Sequence, residues 1–430
     1  LASQAARYLA VRRVTQDNRG KKTAGIDGKT ALNPQERLAL VQKLARKVTP
    51  QPTRRVWRPK PGKSERRPLG IPVIADRAHQ ALIKLSLEPE WEAKFEPNSY
   101  GFRPGRSCHD AIEAIHKAIN SKNVYVLDAD ISGCFDNISH TALLQKLNAP
   151  PTTRRIIRAW LKAGVLDKEV FTPTEKGTPQ GGVISPLLAN IALYGMEEEI
   201  KTRLFKDLID DHKERRQYKW SRKHLRRSLS IIRYADDFVI LHESLHIIQK
   251  AKEYVTEWLQ GIGLELKDSK TRTSHTLHEV GDQKAGFDFL GFNIRQYAVS
   301  QNATKGGYGF KTLIKPSKKA LKTHLKAIKT TLGKLRGTTQ LAVIKDLNPI
   351  IKGWSRYYST SIARKTFEKA DHEVHRKLWR WAKFRHSHKG EKWIRRKYFR
   401  QHGGSSGAFK PTTENSSCST VTTASGVTPK

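Results

Sequence analysis

The sequence predicts an α+β fold, with antiparallel strands and helices mixed through residues 1–305 and a basic, helical segment after them. Three observations carry that expectation. "NVYVLDADISGCFDNIS" at 123–139 alternates like a strand and then meets a turn, and "SLSIIRYADDFVILHES" at 228–244 reads as a buried β-hairpin. Residues 76–96 repeat apolar side chains at helical spacing, with Ala81, Leu82, Leu85 and Trp91 on one side. Residues 311–385 are helical in pattern, basic, and dotted with tryptophan and tyrosine.

Along the chain, residues 1–50 read as helix, a "GKKTAGIDGKT" loop and helix. Residues 54–77 are basic and proline-punctuated, which suits extended strands with a turn at Pro61-Gly62. A long helix is expected over 181–204, after the Gly181-Gly182 pair, followed by a charged, exposed insertion at 205–227. A helix near 245–261, a short strand "GLELK" and a strand segment "GFDFLGFNI" close this region. The Ser/Thr/Gly-rich tail at 403–430 has no hydrophobic period and reads as disordered.

Composition narrows the function. Among 430 residues, Lys and Arg number 80 and Asp and Glu 40, a formal charge of +40. Nucleic acid is the polyanion that such a charge fits, because neutralised phosphates release counterions. No apolar run is long enough to span a bilayer, which argues against a membrane protein. Cys108, Cys134 and Cys418 lie far apart, so no disulfide framework or thiol zinc site is expected. Met196 is the sole methionine, and the chain reads as a fragment or a processed or trimmed protein.

Asp130 ends one predicted strand, and Asp236 and Asp237 sit at the hairpin turn. Side by side, these carboxylates would repel unless a counter-charge joined them. Divalent magnesium supplies one, and two such ions can support in-line phosphoryl transfer. An Asp-Asp pair on a solvated turn is the bland alternative. The apolar flanks, the second acidic strand end and the basic chain together outweigh it.

"YADD", "DADISGCFDNI" and "GTPQGGVISPLLANIAL" resemble the reverse transcriptases encoded by group II introns. "RRPLGIPVIADRAHQAL", "SYGFRPGRSCHDAI", "LKDSKT" and "FDFLGFNI" extend the likeness, and "LNPIIKGWSRYY" resembles the family's maturase, or thumb, domain. The resemblance covers roughly residues 20–400. It implies a right-hand polymerase with fingers and palm, followed by an α-helical thumb. The expected division is N-terminal extension and fingers at 1–120, palm at 121–305, thumb/maturase domain at 311–378 and a truncated DNA-binding region at 379–402.

By the same resemblance, Asp130, Asp236 and Asp237 are catalytic, with Asp130, Asp236 and the Ile131 carbonyl as ligands of two Mg²⁺ ions. Asp128 faces the same way as Asp130, and spacing alone leaves it in contention. Phe135 would exclude a 2′-hydroxyl, although a core aromatic is an equal reading without the family. Lys60 and Arg67 resemble the residues that grip the triphosphate, with a solvated basic turn as the competing account. Gln180 resembles the residue beside the nascent base pair. Lys270 resembles a lysine that protonates pyrophosphate, and a surface lysine is at least as good a reading of the sequence. Asp136 is expected to be structural, as a cap on the next helix.

Trp354, Arg356, Tyr357 and Tyr358 are expected to meet nucleic acid, with Trp354 itself buried; a place for Trp354 and Tyr357 in the core of a helical bundle is the competing account. Members that carry an endonuclease continue into a Cys-x-x-Cys and His-rich module. Here Cys418 stands alone, so neither zinc nor second-strand cleavage is expected. The implied activity is RNA-directed DNA synthesis on intron RNA during retrohoming, together with help in splicing. Implied partners are group II intron RNA, an RNA template with DNA primer, and dNTPs, with no membrane; a homodimer is compatible. A bacterial cytoplasm or an organelle fits. The alternative is an RNA-binding splicing maturase with weak or no polymerase activity.

Overall fold

A computed structural model describes residues 3–46, 49–59, 65–214, 228–303, 306–402, 405–410 and 421–425. The chain divides into two compact units, the first spanning residues 1–275 with 280–283, the second 276–279 with 284–430. The first unit opens with α1 (Gln4–Arg12) and α2 (Pro34–Lys43). Asn33 and Glu36 start α2 with a reciprocal capping box, and Pro34 sits where its missing N–H costs nothing. Strands β1 (Thr53–Pro59) and β2 (Arg66–Ile71) pair antiparallel, so the extended reading of 54–77 holds as far as Ile71. The turn between them lies outside the described residues. Helix α3 (Ile74–Lys94) follows and buries Ala81, Leu82 and Trp91.

The central sheet is built from β3 (Tyr125–Asp130), β6 (Ser230–Tyr234), β7 (Asp237–His242) and β8 (Arg272–His275), in the order β6-β7-β3-β8, all antiparallel. Leu127, Phe238 and Ile240 are fully buried in the core beneath it. Strands β4 (Val165–Asp167) and β5 (Val170–Thr172) extend the β1–β2 sheet. Helices α4 (Cys108–Ile119), α5 (Cys134–Asn137), α6 (His140–Leu147) and α7 (Pro151–Leu161) connect these strands.

Several sequence expectations need correction. The long helix expected over 181–204 is two, α8 (Ser185–Leu193) and α9 (Met196–Glu214). Gly195 separates them at φ +88°, a left-handed conformation that ends a helix and that glycine takes without a Cβ clash. Helix α9 also carries order to Glu214, into the expected insertion, while 215–227 lie outside the described residues. "GLELK" is not a strand. It joins β3 by one bridge, Ile131 to Leu266, and by irregular bonds from Ser132 N to Glu265 O and Lys267 N to Asp130 O. Helix α10 (Leu245–Gln260) lies where periodicity put it.

In the second unit, β9 (Phe287–Phe289), β10 (Phe292–Ala298) and β11 (Phe310–Pro316) form an antiparallel sheet. The sequence reading began the helical region at 311. The structure instead pairs all of β11 with β10 before α11 (Lys318–Lys334), because its short "FKTLIKP" run finds a full-length partner. Helices α12 (Gln340–Tyr358), α13 (Arg364–Arg385) and α14 (Glu391–Tyr398) complete the unit. The tail expected to be disordered contributes β13 (Ser405–Phe409), paired with β12 (Phe399–His402). Phe409 supplies the reason: its ring is buried and stacks on Tyr398. Residues 421–425 add backbone bonds from Ala424 and Ser425 to Asp371.

Candidate active site

Strand pairing decides where the acids lie. Asp130 and Asp237 are direct cross-strand partners at the ends of β3 and β7, and Tyr234 pairs with Asp237 to close the β6–β7 hairpin. Side chains opposite one another on antiparallel strands share a face. Asp236 occupies the turn, and its carbonyl accepts from Ile131 N at 3.2 Å. Asp130 and Asp237, 107 positions apart in sequence, are thereby neighbours. Asp128 lies two residues back on β3, opposite Val239.

Burial raises the pKa of both hairpin carboxylates. Asp237 is pushed up to about 6, first by burial and then by the charges of Asp236 and Asp128. Asp236 is raised by burial, with the Arg67 guanidinium pulling the other way. Asp130 is paired with the Lys270 ammonium. Among the described residues, no group of three or more His, Cys, Asp or Glu side chains is already gathered as a metal site. The acids at the hairpin and β3 end are nonetheless all hard oxygen donors carrying imperfectly offset negative charge, which suits a divalent cation.

Phe135 follows the Gly133 turn on α5 and packs against the core, edge-on to Phe102 with ring centroids 5.9 Å apart. Phe102 is exposed and has φ +61°, an unusual conformation for an aromatic residue. Gln180 lies in a loop threaded between the end of β2 and α5. Its carbonyl accepts from Gly70 N at 2.8 Å, and its side-chain amide donates to Asp136 at 2.9 Å. Asp136 therefore does not cap the next helix; Ser139 does, by accepting from Ala142 N. The loop needs its glycines, since a Cβ on Gly177 would stand 2.5 Å from the Asp136 carbonyl oxygen. A cleft of about 900 Å³ is lined here by Trp57, Gly70, Phe135, Asp136, Trp160 and Gln180, among others.

Arg67 is exposed on β2 opposite Arg58. Lys60 lies outside the described residues. In the second unit, the four aromatic and basic candidates have different roles. Tyr358 is buried, its hydroxyl donating to Gly291 O; Tyr357 stacks on Phe292 and donates to Leu290 O. Trp354 is half-buried, not fully buried as expected, and stacks on His324 at 4.4 Å. These three rings hold α12 against the β9–β10 turn and α11, which corrects the expectation of direct nucleic-acid contact for Tyr358. Arg356 alone of the four is exposed.

Sequence reasoning missed Asn190, Arg233, Gly101 and Phe102, which surround the hairpin turn and Phe135. A charged residue inside an apolar strand was the available signal for Arg233. Nothing in a one-dimensional pattern pairs it with Asn190.

The family model for reverse transcriptase (RNA-dependent DNA polymerase) matches residues 58–294. The N-terminal domain of reverse transcriptase matches 1–44, and the group II intron maturase-specific domain matches 321–399. Group II intron-encoded protein LtrA of Lactococcus lactis subsp. cremoris is 32% identical over 325 residues, 65% of this chain and 53% of that protein. Protein YkfC of Escherichia coli K12 is 32% identical over 310 residues, covering 66% of this chain and 78% of its own length. The chain thus spans about half the length of LtrA. No helix among the described residues is long and apolar enough to cross a membrane. The chain belongs to the reverse transcriptase (RNA-dependent DNA polymerase) family and carries a group II intron maturase-specific domain.

Proposed function

We propose that the protein is an RNA-directed DNA polymerase of a group II intron, copying intron RNA into DNA from a primer and dNTPs and binding that RNA to assist splicing. The observation that supports it best is the register of β3 on β7, which sets Asp130 opposite Asp237 with Asp236 at the adjoining turn. The reverse transcriptase family is generally divalent-metal dependent. In this reading Asp130, Asp236 and Asp237 hold Mg²⁺, with the Ile131 carbonyl beside them. Held there, the cation would supply neutralisation of charge on the reacting phosphates. Arg67, with Lys60, draws the triphosphate toward the acids; Arg67 is already close enough to oppose the rise in the Asp236 pKa. Phe135 closes the sugar side of the pocket and Phe102 braces its ring. Gln180, fixed by Asp136, forms the floor beneath the new base pair. Lys270, paired with Asp130, would supply the proton that the leaving group takes up.

The bacterial and intron-borne relatives favour a bacterial cytoplasm or an organelle as the setting. Mg²⁺-dependent extension of a DNA primer on an RNA template tests the reading. Labelled cDNA that disappears on chelation is the expected result. Tight binding of intron RNA with no extension product would leave the RNA-binding splicing maturase instead.

A further inference from the structure

We propose that Arg233, Asn190 and Gly101 form a buried clamp that positions the Ala235–Asp237 turn. This rests on the role given above to Asp236 and Asp237, and it concerns how those carboxylates are held.

Arg233 is the penultimate residue of β6 and is only 4% exposed. A buried guanidinium is a poor choice for stability alone, because an apolar side chain would fill the space without losing hydration. Its hydrogen bonds show where it acts. Nη1 donates to the Ala235 carbonyl at 3.1 Å and to Asn190 Oδ1 at 3.2 Å. Ala235 has φ +59°, left-handed backbone that an L-residue adopts only when its surroundings impose it. It immediately precedes Asp236, so its conformation sets the direction in which that carboxylate leaves the strand.

Asn190, on α8, relays the grip. Its Nδ2 donates to the Gly101 carbonyl at 2.8 Å. Gly101 in turn lies against the turn so closely that a Cβ there would stand 2.3 Å from Ala235 N and 2.9 Å from Ala235 Cβ. Only glycine permits that approach. The peptide of Arg233 is itself fixed from the same segment: Tyr100 N donates to Arg233 O, and Arg233 N donates to Asn98 O, each at 2.9 Å. Burial lowers the pKa of the guanidinium, and the nearby charges of Glu96 and Glu197 oppose that lowering.

The turn is therefore held from three sides by β6, α8 and the 98–101 segment. Both bonds leave the same nitrogen, Nη1, so the grip depends on a donor at the full reach of the guanidinium, able to meet a carbonyl and an amide oxygen together. Positioning matters here because phosphoryl transfer depends on where the carboxylates place charge, and small displacements are expensive in rate. Arg233 is thus a positioning residue and touches no substrate.

Three variants of the full chain test the clamp. Arg233→Lys keeps the charge but ends one bond short of the Nη1 position. Asn190→Ala cuts the relay. Gly101→Ala leaves every clamp side chain in place and pushes the turn. Primer extension on an RNA template gives kcat and the KM for dNTP, and filter binding gives RNA affinity. Electron paramagnetic resonance of free Mn²⁺, without nucleic acid, gives metal affinity. The expected result is a tenfold or greater loss of kcat in Asn190→Ala and Gly101→Ala, KM and RNA affinity within about twofold, and Mn²⁺ affinity at least threefold weaker. Arg233→Lys should fall between these variants and the wild type. Unchanged Mn²⁺ affinity and kcat within twofold in folded Gly101→Ala would overturn the clamp, even if Arg233→Lys fails to fold. Wild-type protein that binds Mn²⁺ but makes no cDNA would defeat the polymerase reading alone, and the Mn²⁺ comparison would still decide the clamp.

Discussion

Burial raises the pKa of both adjacent carboxylates on this turn, and at Asp237 the charges of Asp236 and Asp128 raise it further. A fold gains nothing from such a pair unless a cation joins it. Asp236→Asn should therefore abolish primer extension while leaving RNA affinity near wild type. Its thermal midpoint should stay level or rise, because one buried like charge is gone. A variant that failed to fold would instead assign Asp236 a structural role. Phe135 makes a different kind of prediction. Its ring is held edge-on by Phe102, so its position is set by packing on the side facing the cleft. Phe135→Ala should admit ribonucleotides, measured as the ratio of kcat/KM for dNTP over NTP, with a loss of tenfold or more in that ratio. Undiminished sugar discrimination would remove Phe135 from the gate.

At the level of elements, periodicity was informative where each residue's neighbours are local. The alternation of "VYVLDAD", the hairpin around Asp236 and the helical faces of α3 and α10 could all be read from spacing. The break at Gly195 could not, because an isolated glycine inside a helical pattern is tolerated as often as it terminates one. Strand β11 was lost for a related reason: seven mixed residues become a strand only beside β10. The candidate acids were legible because a known family writes them in fixed motifs, whereas the Arg233–Asn190–Gly101 contacts join three separate elements and leave no local signature. Helix packing in the second unit yields a pH prediction. His324 of α11 is buried against Trp354, and burial pulls its pKa down to about 4 from an ordinary 6.5. The unfolded chain then binds this proton more readily than the folded one. The contribution to stability is complete above pH 6.5 and is lost as pH falls from 6.5 toward 4. His324→Phe keeps an aromatic ring on Trp354 and removes the proton site. In thermal melts of the full chain, the midpoint of the variant should gain on wild type steadily through that window. Parallel pH curves would mean that His324 is protonated in the folded state as easily as in water.

Across the whole molecule, the formal charge of +40 is the largest single physical feature, and self-repulsion of that size is sustained most readily beside a polyanion. Some of the acids are held in ion pairs, as with Glu92 to Arg103 and Asp207 to Lys250, and others lie at the candidate active site. Helix α11 has no acidic residue at all, and Lys319, Lys322, Lys326 and Lys329 stand exposed on it. Spacings of three and four residues put these four ammonium groups on one stripe, which can follow a phosphate backbone. Each phosphate contact displaces condensed counterions, so log Kd for RNA should rise linearly with log salt concentration. Substituting Lys322, Lys326 and Lys329 together by glutamine should reduce that slope by up to about 2, taking roughly 0.7 per contact on a single strand. The same variant should leave the thermal midpoint nearly unchanged, since exposed lysines on one helix face repel one another. Filter binding of a structured RNA across a range of salt concentrations reads the slope directly. A wild-type affinity indifferent to salt would show that base stacking and shape, rather than charge, hold the RNA, and an unaltered slope in the triple variant would move the electrostatic contact away from α11.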